Sequence, residues 1–222
     1  TGRDPSSAYD TVDTRINRGI FLFMMRNFKA SEIEYKKALA KNPQNVTLMR
    51  LLAGSLREQG KFAEAIDFSL TATRITPESE IAWRGLARVY QVKGDYTKAL
   101  EAIEKALRLN RTVGESYVVK ARILLGMQQY EEALLAANQG VEMIRTRIDP
   151  YNAPSSINLM AAYLVRANVF DALGKKAEAQ RDMKEILKMP PLSAYHEFYQ
   201  AEARQYLTKI MNSASPANSS AE

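Results

Sequence analysis

The feature that most constrains this chain is a pattern of apolar and small residues that recurs every 34 residues. Its clearest copy lies between Glu80 and Val113, where two apolar stripes are separated by Gly94. The first stripe comprises Trp83, Leu86, Ala87 and Tyr90, and the second comprises Tyr96, Ala99, Ile103, Ala106 and Leu107. Steps of three and four residues place each stripe on one face of a helix. Glycine ends a helix without a steric penalty, so the stretch predicts a helical hairpin that turns at Gly94.

Copies of this hairpin lie on both sides of it along the chain. The small residues keep the spacing: Ala65, Ala99 and Ala133 are 34 residues apart, and so are Ala38, Ala72 and Ala106. A hairpin with apolar surface on more than one side cannot bury that surface alone. A period of this length with two helices per unit is typical of a helical solenoid. The sequence therefore predicts an all-α fold in which about five hairpins stack in a row.

The central copy spells W-x-x-L-A-x-x-Y, then G-x-Y-x-x-A, then A-L, and this order resembles the tetratricopeptide repeat. The resemblance extends over residues 12–193 and implies a right-handed superhelical solenoid. The predicted units are 12–45, 46–79, 80–113, 114–147 and 160–193. Arg18 and Arg166 depart from the pattern, because they stand where the repeat usually has a leucine.

An insertion over residues 148–159 interrupts the period, since Ala133 and Ala179 are 46 residues apart rather than 34. Pro150 and Pro154 cannot continue a helix, so we expect a loop from Ile148 to Pro154 between two lengthened helices. Such a loop is either a binding element or a neutral insertion, and the sequence leaves both interpretations open.

The two ends of the chain are predicted from their composition. Residues 1–11 are polar and are expected to be flexible, and the absence of an initiator methionine leaves open whether an upstream signal or anchor was removed. Residues 194–211 carry an apolar stripe and are expected to form a helix that caps the last repeat. Residues 212–222 are too polar to bury a core and are expected to be disordered.

The residue types argue against catalysis. The chain has no cysteine, its one histidine is His196, and its glycines stand singly rather than in a phosphate-binding loop. No pairing supports acid–base or nucleophilic chemistry, so we predict a protein that is not an enzyme and has no cofactor, metal site or small-molecule substrate. The chain also lacks an apolar run of about 18 residues, which predicts a soluble protein without a membrane span. The sequence does not identify the compartment, although the regular repeats and the lack of cysteine favour a bacterial assembly factor of the cytoplasm or the periplasm.

The resemblance also implies a binding surface, because the first helix of each tetratricopeptide unit lines the concave face of the stack. The corresponding positions in the middle repeats carry five arginines, which are Arg50, Arg57, Arg84, Arg88 and Arg122. In the first repeat, Ile20 and Phe23 fall at such positions and are expected to form an apolar shelf. A guanidinium group can bind a carboxylate through two parallel hydrogen bonds.

These positions predict an interaction scaffold whose basic groove holds an acidic or extended segment of a partner protein. The alternative is that the arginines pair with Glu58, Glu80 and Glu115 and serve only to keep the groove soluble. A third alternative, which the residues support less, is a nucleic-acid-binding module. The net charge of +6 does not by itself imply nucleic acid, and aromatic residues for base stacking are nearly absent from the predicted groove positions.

A second function is also open, because the first helix is apolar on all sides along the stretch IFLFMM at residues 20–25. Either a neighbouring segment covers this helix, or it is a docking surface for a partner or for a second copy of the chain. In the second case Phe23 and Met24 are its expected exposed residues, and Met24 marks a second interface through which the protein self-assembles.

Overall fold

A computed structural model describes residues 10–147 and 153–214 of the chain. All regular secondary structure in these two ranges is helical. The helices are α1 (Val12–Met24), α2 (Phe28–Lys41), α3 (Val46–Glu58), α4 (Phe62–Ile75), α5 (Glu80–Lys93), α6 (Tyr96–Leu109), α7 (Gly114–Gly126), α8 (Tyr130–Arg145), α9 (Ala153–Ala172), α10 (Lys176–Lys188) and α11 (Ala194–Ala214).

Consecutive helices pack against each other as five hairpins, from α1 and α2 to α9 and α10, and α11 follows them. The first helices of neighbouring hairpins also touch, so that α1, α3, α5, α7 and α9 form one continuous layer. This arrangement confirms the predicted all-α solenoid of about five repeats with an additional C-terminal helix.

The core extends along the solenoid and is set by small residues at matching positions. Ala65, Ala99, Ala133 and Ala179 each have no exposed surface. They lie near the start of the second helix of their hairpins, where a methyl group allows close approach of the neighbouring helix. Ala179 holds this place even though 46 residues separate it from Ala133, so the repeat register survives the insertion.

The helices on both sides of the insertion are longer than those that precede them. Helix α8 has 16 residues and α9 has 20, against 13 or 14 in the helices that precede them. The predicted loop was to end at Pro154, but α9 already begins at Ala153. Proline is tolerated in the first turn of a helix, because the N–H group that it lacks has no partner there in any case. Residues 148–152 lie outside the described part of the chain.

One departure from the repeat pattern is compensated by charge pairing. Arg166 replaces a leucine on α9, and its Nε and Nη2 atoms donate to the two carboxylate oxygens of Asp182 on α10, each at 2.7 Å. Asp182 is 3% exposed. A bidentate pair of this kind neutralises the buried carboxylate with a partly exposed arginine, so α9 and α10 remain packed without the leucine.

The start of the described chain is more ordered than its polar composition predicted. The Thr11 hydroxyl oxygen accepts a hydrogen bond from the Thr14 backbone N–H at 3.1 Å and so caps α1. Asp10 pairs with Arg15 and, at 3.3 Å, with Lys41. The prediction of flexibility over 1–11 therefore does not hold at Asp10 and Thr11. Its other residues, 1–9, lie outside the described part of the chain.

The C-terminal helix α11 packs against α9 and α10, and it continues to Ala214, three residues beyond the predicted end. His196 anchors its first turn and is fully buried. The imidazole Nε2 lies 2.7 Å from the Ser156 Oγ of α9, and Nδ1 lies 2.8 Å from the Ser193 Oγ. The one histidine is therefore a packing residue. Residues 215–222, which make up most of the predicted disordered tail, lie outside the described part of the chain.

None of the described helices combines the length and the apolar character that a membrane crossing requires.

The Gly19→Ala substitution should destabilise the protein by about 1–3 kcal/mol, because it overpacks the core. A Cβ atom at this position would lie 2.3 Å from the Cε1 of Tyr35, a ring with no exposed surface and therefore no room to move. The matched control is Gly54→Ala, whose Cβ would meet nothing closer than 3.8 Å and which should stabilise helix α3 by about 0.5–1 kcal/mol. Urea unfolding measures both changes, and an equal effect at the two positions would contradict this packing.

The free energy of unfolding should fall as the pH drops below about 6.5. Burial lowers the pKa of His196 from its ordinary value of 6.5. Just below that pH the unfolded chain therefore binds a proton that the folded chain does not, and stability is lost as the pH falls towards the folded-state pKa. Because the chain has one histidine, urea unfolding between pH 8 and pH 5 reports mainly on this group. The His196→Gln variant should show a flatter dependence, and an unchanged slope would contradict the assignment.

Candidate binding groove

The five arginines predicted from the sequence share the inner face of the solenoid, and two adjoining pockets bring them together. The first, here called the N-terminal pocket, lies among α1, α3 and α5 and has a volume of about 170 Å³. The second, the central pocket, extends from these helices to α7, α9 and α11 and has a volume of about 490 Å³. Arg50 and Arg57 line the first, Arg122 lines the second, and Arg84 and Arg88 line both.

Two of the arginines are paired within the protein and three are not. The Arg57 Nε donates to the Glu58 carboxylate at 3.1 Å, and the Arg84 Nε donates to the Glu80 carboxylate at 2.8 Å. Arg50, Arg88 and Arg122 have no hydrogen bond or ion pair with any described residue. The internal-pairing alternative therefore holds for two arginines only.

The third acid of that alternative does not neutralise an arginine. Glu115 accepts a hydrogen bond from the Asn158 Nδ2 at 3.0 Å and forms no ion pair within the described residues. The groove thus gathers more guanidinium groups than the protein itself can neutralise.

The crowding of positive charge appears in the pKa of the unpaired arginines. The nearby charge of Arg57, together with partial loss of hydration between the groove walls, lowers the pKa of Arg88 to about 9. Burial is the main cause that lowers the pKa of both Arg50 and Arg122. Arg88 nevertheless remains exposed to solvent inside the groove, and at neutral pH a group with this pKa is charged. The result is a concentration of positive charge that an anionic ligand would relieve.

The apolar shelf lies at the α1 end of the same surface, where Ile20, Phe23 and Met24 line the N-terminal pocket. Phe23 and Met24 also line the central pocket and are only partly exposed. Their expected role as the exposed members of an outward patch is therefore wrong. The exposed apolar residues at the end of α1 are instead Phe21 and Met25, which are 64% and 54% exposed. Successive residues of a helix point about 100° apart, so a run that is apolar on all sides does not reveal which member faces outwards.

Sequence reasoning missed the aromatic contribution of α11 to the groove. Tyr195, Phe198 and Tyr199 line the central pocket from its C-terminal side. The rings of Tyr195 and Phe23 are stacked with their centroids 5.8 Å apart. The prediction that the groove has almost no aromatic residues is therefore wrong. Repeat arithmetic places first helices on the inner face, but it says nothing about a helix that follows the last repeat.

Arg26 completes this contact between the two ends of the solenoid. Its guanidinium carbon lies 4.4 Å from the ring centroid of Phe198 and 5.5 Å from that of Tyr195. A cation over an aromatic face is attracted by the ring quadrupole. Burial also raises the pKa of Tyr195 well above its ordinary value. The first turn of α11 thus closes one side of the groove against the end of α1.

The inner face offers positive charge, apolar surface and aromatic rings as its binding chemistry. Within residues 10–147 and 153–214, no three or more histidine, cysteine, aspartate or glutamate side chains are grouped in a way that could hold a metal ion.

Comparison with known sequences places the repeats in a family. Residues 22–80 and 81–113 match two models of the tetratricopeptide repeat. The chain is 30% identical over 132 residues to the type IV pilus assembly protein PilF of Pseudomonas aeruginosa, a match that covers 59% of this chain and 51% of PilF. It is 26% identical over 188 residues to the human antiviral innate immune response effector IFIT1, covering 78% of this chain and 38% of IFIT1. The chain therefore spans about half, or less, of the length of these relatives.

Solved structures show the same architecture. A thermophilic tetratricopeptide-repeat protein of Thermus thermophilus superposes with a TM-score of 0.76 at 16% identity, covering 89% of this chain and 100% of the other. The structure of Pseudomonas aeruginosa PilF superposes with a TM-score of 0.55 at 22% identity, covering 87% of this chain and 82% of the other. At these identities the likeness concerns the fold. The two repeat matches identify residues 22–113 as tetratricopeptide repeats, and the five stacked hairpins and these solved structures show that the described chain has the fold of a tetratricopeptide-repeat protein.

Proposed function

We propose that this protein is a non-catalytic interaction scaffold whose concave groove holds an acidic, extended segment of a partner protein. The observation that carries the proposal is the convergence of five arginines on one surface, of which only two have a carboxylate partner among the described residues. Aspartate or glutamate side chains of a partner would supply the missing negative charge. The planar guanidinium fork binds such groups with defined geometry.

The shape of the groove favours a peptide segment over a compact ligand. The arginines come from three successive first helices, so the charge follows the solenoid rather than surrounding one point. A nucleic acid fits less well, because single-stranded nucleic acids bind through aromatic faces that are free to stack on bases. Here the ring of Tyr195 stacks on Phe23, and Arg26 lies over the ring of Phe198.

The relatives support scaffolding in general and not one partner. PilF is by name a pilus assembly protein and IFIT1 an antiviral effector, so the two names point to different biological roles. We extend to this chain the role of an assembly factor without a cofactor, working in the cytoplasm or the periplasm.

The double variant Arg84→Glu/Arg88→Glu should weaken the binding of an acidic peptide by at least tenfold, because it replaces two attractive charges at the centre of the groove with repulsive ones. The probe is a fluorescein-labelled decapeptide in which Asp and Glu alternate with Ser and Gly. Fluorescence anisotropy gives its Kd at 50 mM and at 300 mM NaCl. Salt should weaken binding to the wild-type protein, because it screens charge.

The matched control is Arg108→Glu/Arg111→Glu, which changes the net charge by the same amount at exposed positions that line neither pocket of the groove. Circular dichroism verifies that both variants keep their helix content. Equal loss of binding in the two variants, or no binding of the peptide to the wild-type protein, would contradict the proposed function.

Self-association is a second candidate function, because α1 exposes large apolar side chains outside the groove. Phe21 and Met25 are 64% and 54% exposed, and neither lines a pocket of the groove. An apolar patch of this kind on one helix is typical of an interface with another protein or a second copy.

If this patch joins two copies, the mass measured by light scattering should rise with protein concentration, and Phe21→Asp should return it to that of a monomer. Burial of a charged carboxylate in an apolar interface is costly, which is the reason for this choice of variant. Leu135→Asp on α8 is the control, since Leu135 is 68% exposed but lies on another helix. A monomeric mass of the wild-type protein at all concentrations would exclude this second function.

A further inference from the structure

The glycines of the described residues divide by what their backbone or their neighbours require. Three of them, Gly60, Gly94 and Gly174, end or follow helices with positive φ angles between 73° and 89°. Four others leave no room for a side chain, since a Cβ at Gly19, Gly114, Gly126 or Gly140 would lie 2.3 to 2.7 Å from a neighbouring side chain. Gly54 and Gly85 remain, and neither reason applies to them.

Gly54 and Gly85 lie in the interior of α3 and α5, where packing would accept a side chain. The nearest atom to a Cβ at Gly54 is the Phe23 Cε2 at 3.8 Å, and the nearest to a Cβ at Gly85 is the Arg50 Cγ at 3.5 Å. Both distances are ordinary contacts. Glycine in a helix interior is less stable than alanine, so the chain loses stability at two positions without a gain in packing.

What these two glycines share is their location, because both line the N-terminal pocket. With no side chain at either position, the pocket keeps a volume of about 170 Å³. For comparison, an engineered protein cavity of about 150 Å³ binds benzene. The space is therefore sufficient for one aromatic ring or one branched aliphatic side chain.

The walls and the rim of this pocket have different chemistry. Ile20, Phe23, Met24 and Ile81 supply apolar walls, and Ile20 and Ile81 are 41% and 43% exposed. Arg50, Arg84 and Arg88 also line it, and Arg50 and Arg88 lack a carboxylate partner among the described residues. An apolar group inside the pocket would thus be surrounded by positive charge, which fits an apolar residue whose neighbours in sequence are acidic.

We propose that the N-terminal pocket is an anchor site for one aromatic or branched aliphatic side chain of the partner segment, with acidic residues on either side of it. This inference rests on the proposed function, since it assumes that an acidic segment occupies the groove. The inference adds an apolar anchor residue, which a purely acidic peptide lacks. Burial of the anchor supplies affinity, while the arginines fix the direction and the register of the segment.

The test compares two fluorescein-labelled acidic decapeptides that differ at one central residue, which is Phe in one and Ser in the other. The Phe peptide should bind the wild-type protein at least tenfold more tightly, because binding transfers its ring from water into the apolar pocket. Gly54→Leu and Gly85→Leu fill the pocket without changing the charge, so each should abolish the difference between the Kd values of the two peptides when both are measured on the same variant. Gly85→Ala adds only a methyl group and should retain most of the difference.

The outcomes separate this inference from the proposed function. If both peptides bind the wild-type protein with equal affinity, the anchor site is wrong and the acidic groove stands; this comparison requires no variant to fold. If neither peptide binds, the proposed function fails and the anchor site fails with it. A difference that persists in both folded leucine variants would place the ring elsewhere and overturn the inference. A change in the oligomeric mass of these variants would also overturn the inference, because the pocket would then be an interface with a second copy of the chain.

Discussion

Close approach between helices, made possible by small residues at matching places, is the constraint on which this structure depends. The fully buried Ala65, Ala99, Ala133 and Ala179 allow each hairpin to pack against the next, and the stack then buries apolar faces that no hairpin could bury alone. Because the first helices α1, α3, α5, α7 and α9 form one layer, any residue type repeated along them accumulates on one surface. The arginine groove is a direct consequence of this geometry.

Bringing the arginines together in the groove costs electrostatic free energy. Like charges on Arg57, Arg84, Arg88 and Arg122 oppose one another, and the lowered pKa of Arg88 reports that repulsion. Burial of the apolar core between the hairpins offsets this cost. A surface that holds uncompensated charge in this way is suited to an anionic partner.

The fold and the positions of the arginines were predictable, because both follow from the period. Residues 34 apart occupy equivalent places, so the inner face could be read from one well-defined repeat and transferred to Arg50, Arg57, Arg84, Arg88 and Arg122. Contacts between residues that follow no period could not be predicted. The contact of Tyr195 and Phe198 with Phe23 and Arg26 joins the two ends of the stack, and its residues lie more than 160 positions apart in the sequence. The open volume at Gly54 and Gly85 could not be predicted either, because it depends on the positions of neighbouring atoms that the sequence does not give.

The most direct test of the central claim observes the arginines themselves. Nitrogen-15 NMR spectra of the guanidinium Nε groups, recorded while an acidic peptide is added, should show shifts for the unpaired Arg50, Arg88 and Arg122 and none for Arg108 and Arg111 on the outside of the stack. Shifts confined to the outer arginines, with the groove signals unchanged at saturation, would contradict the account.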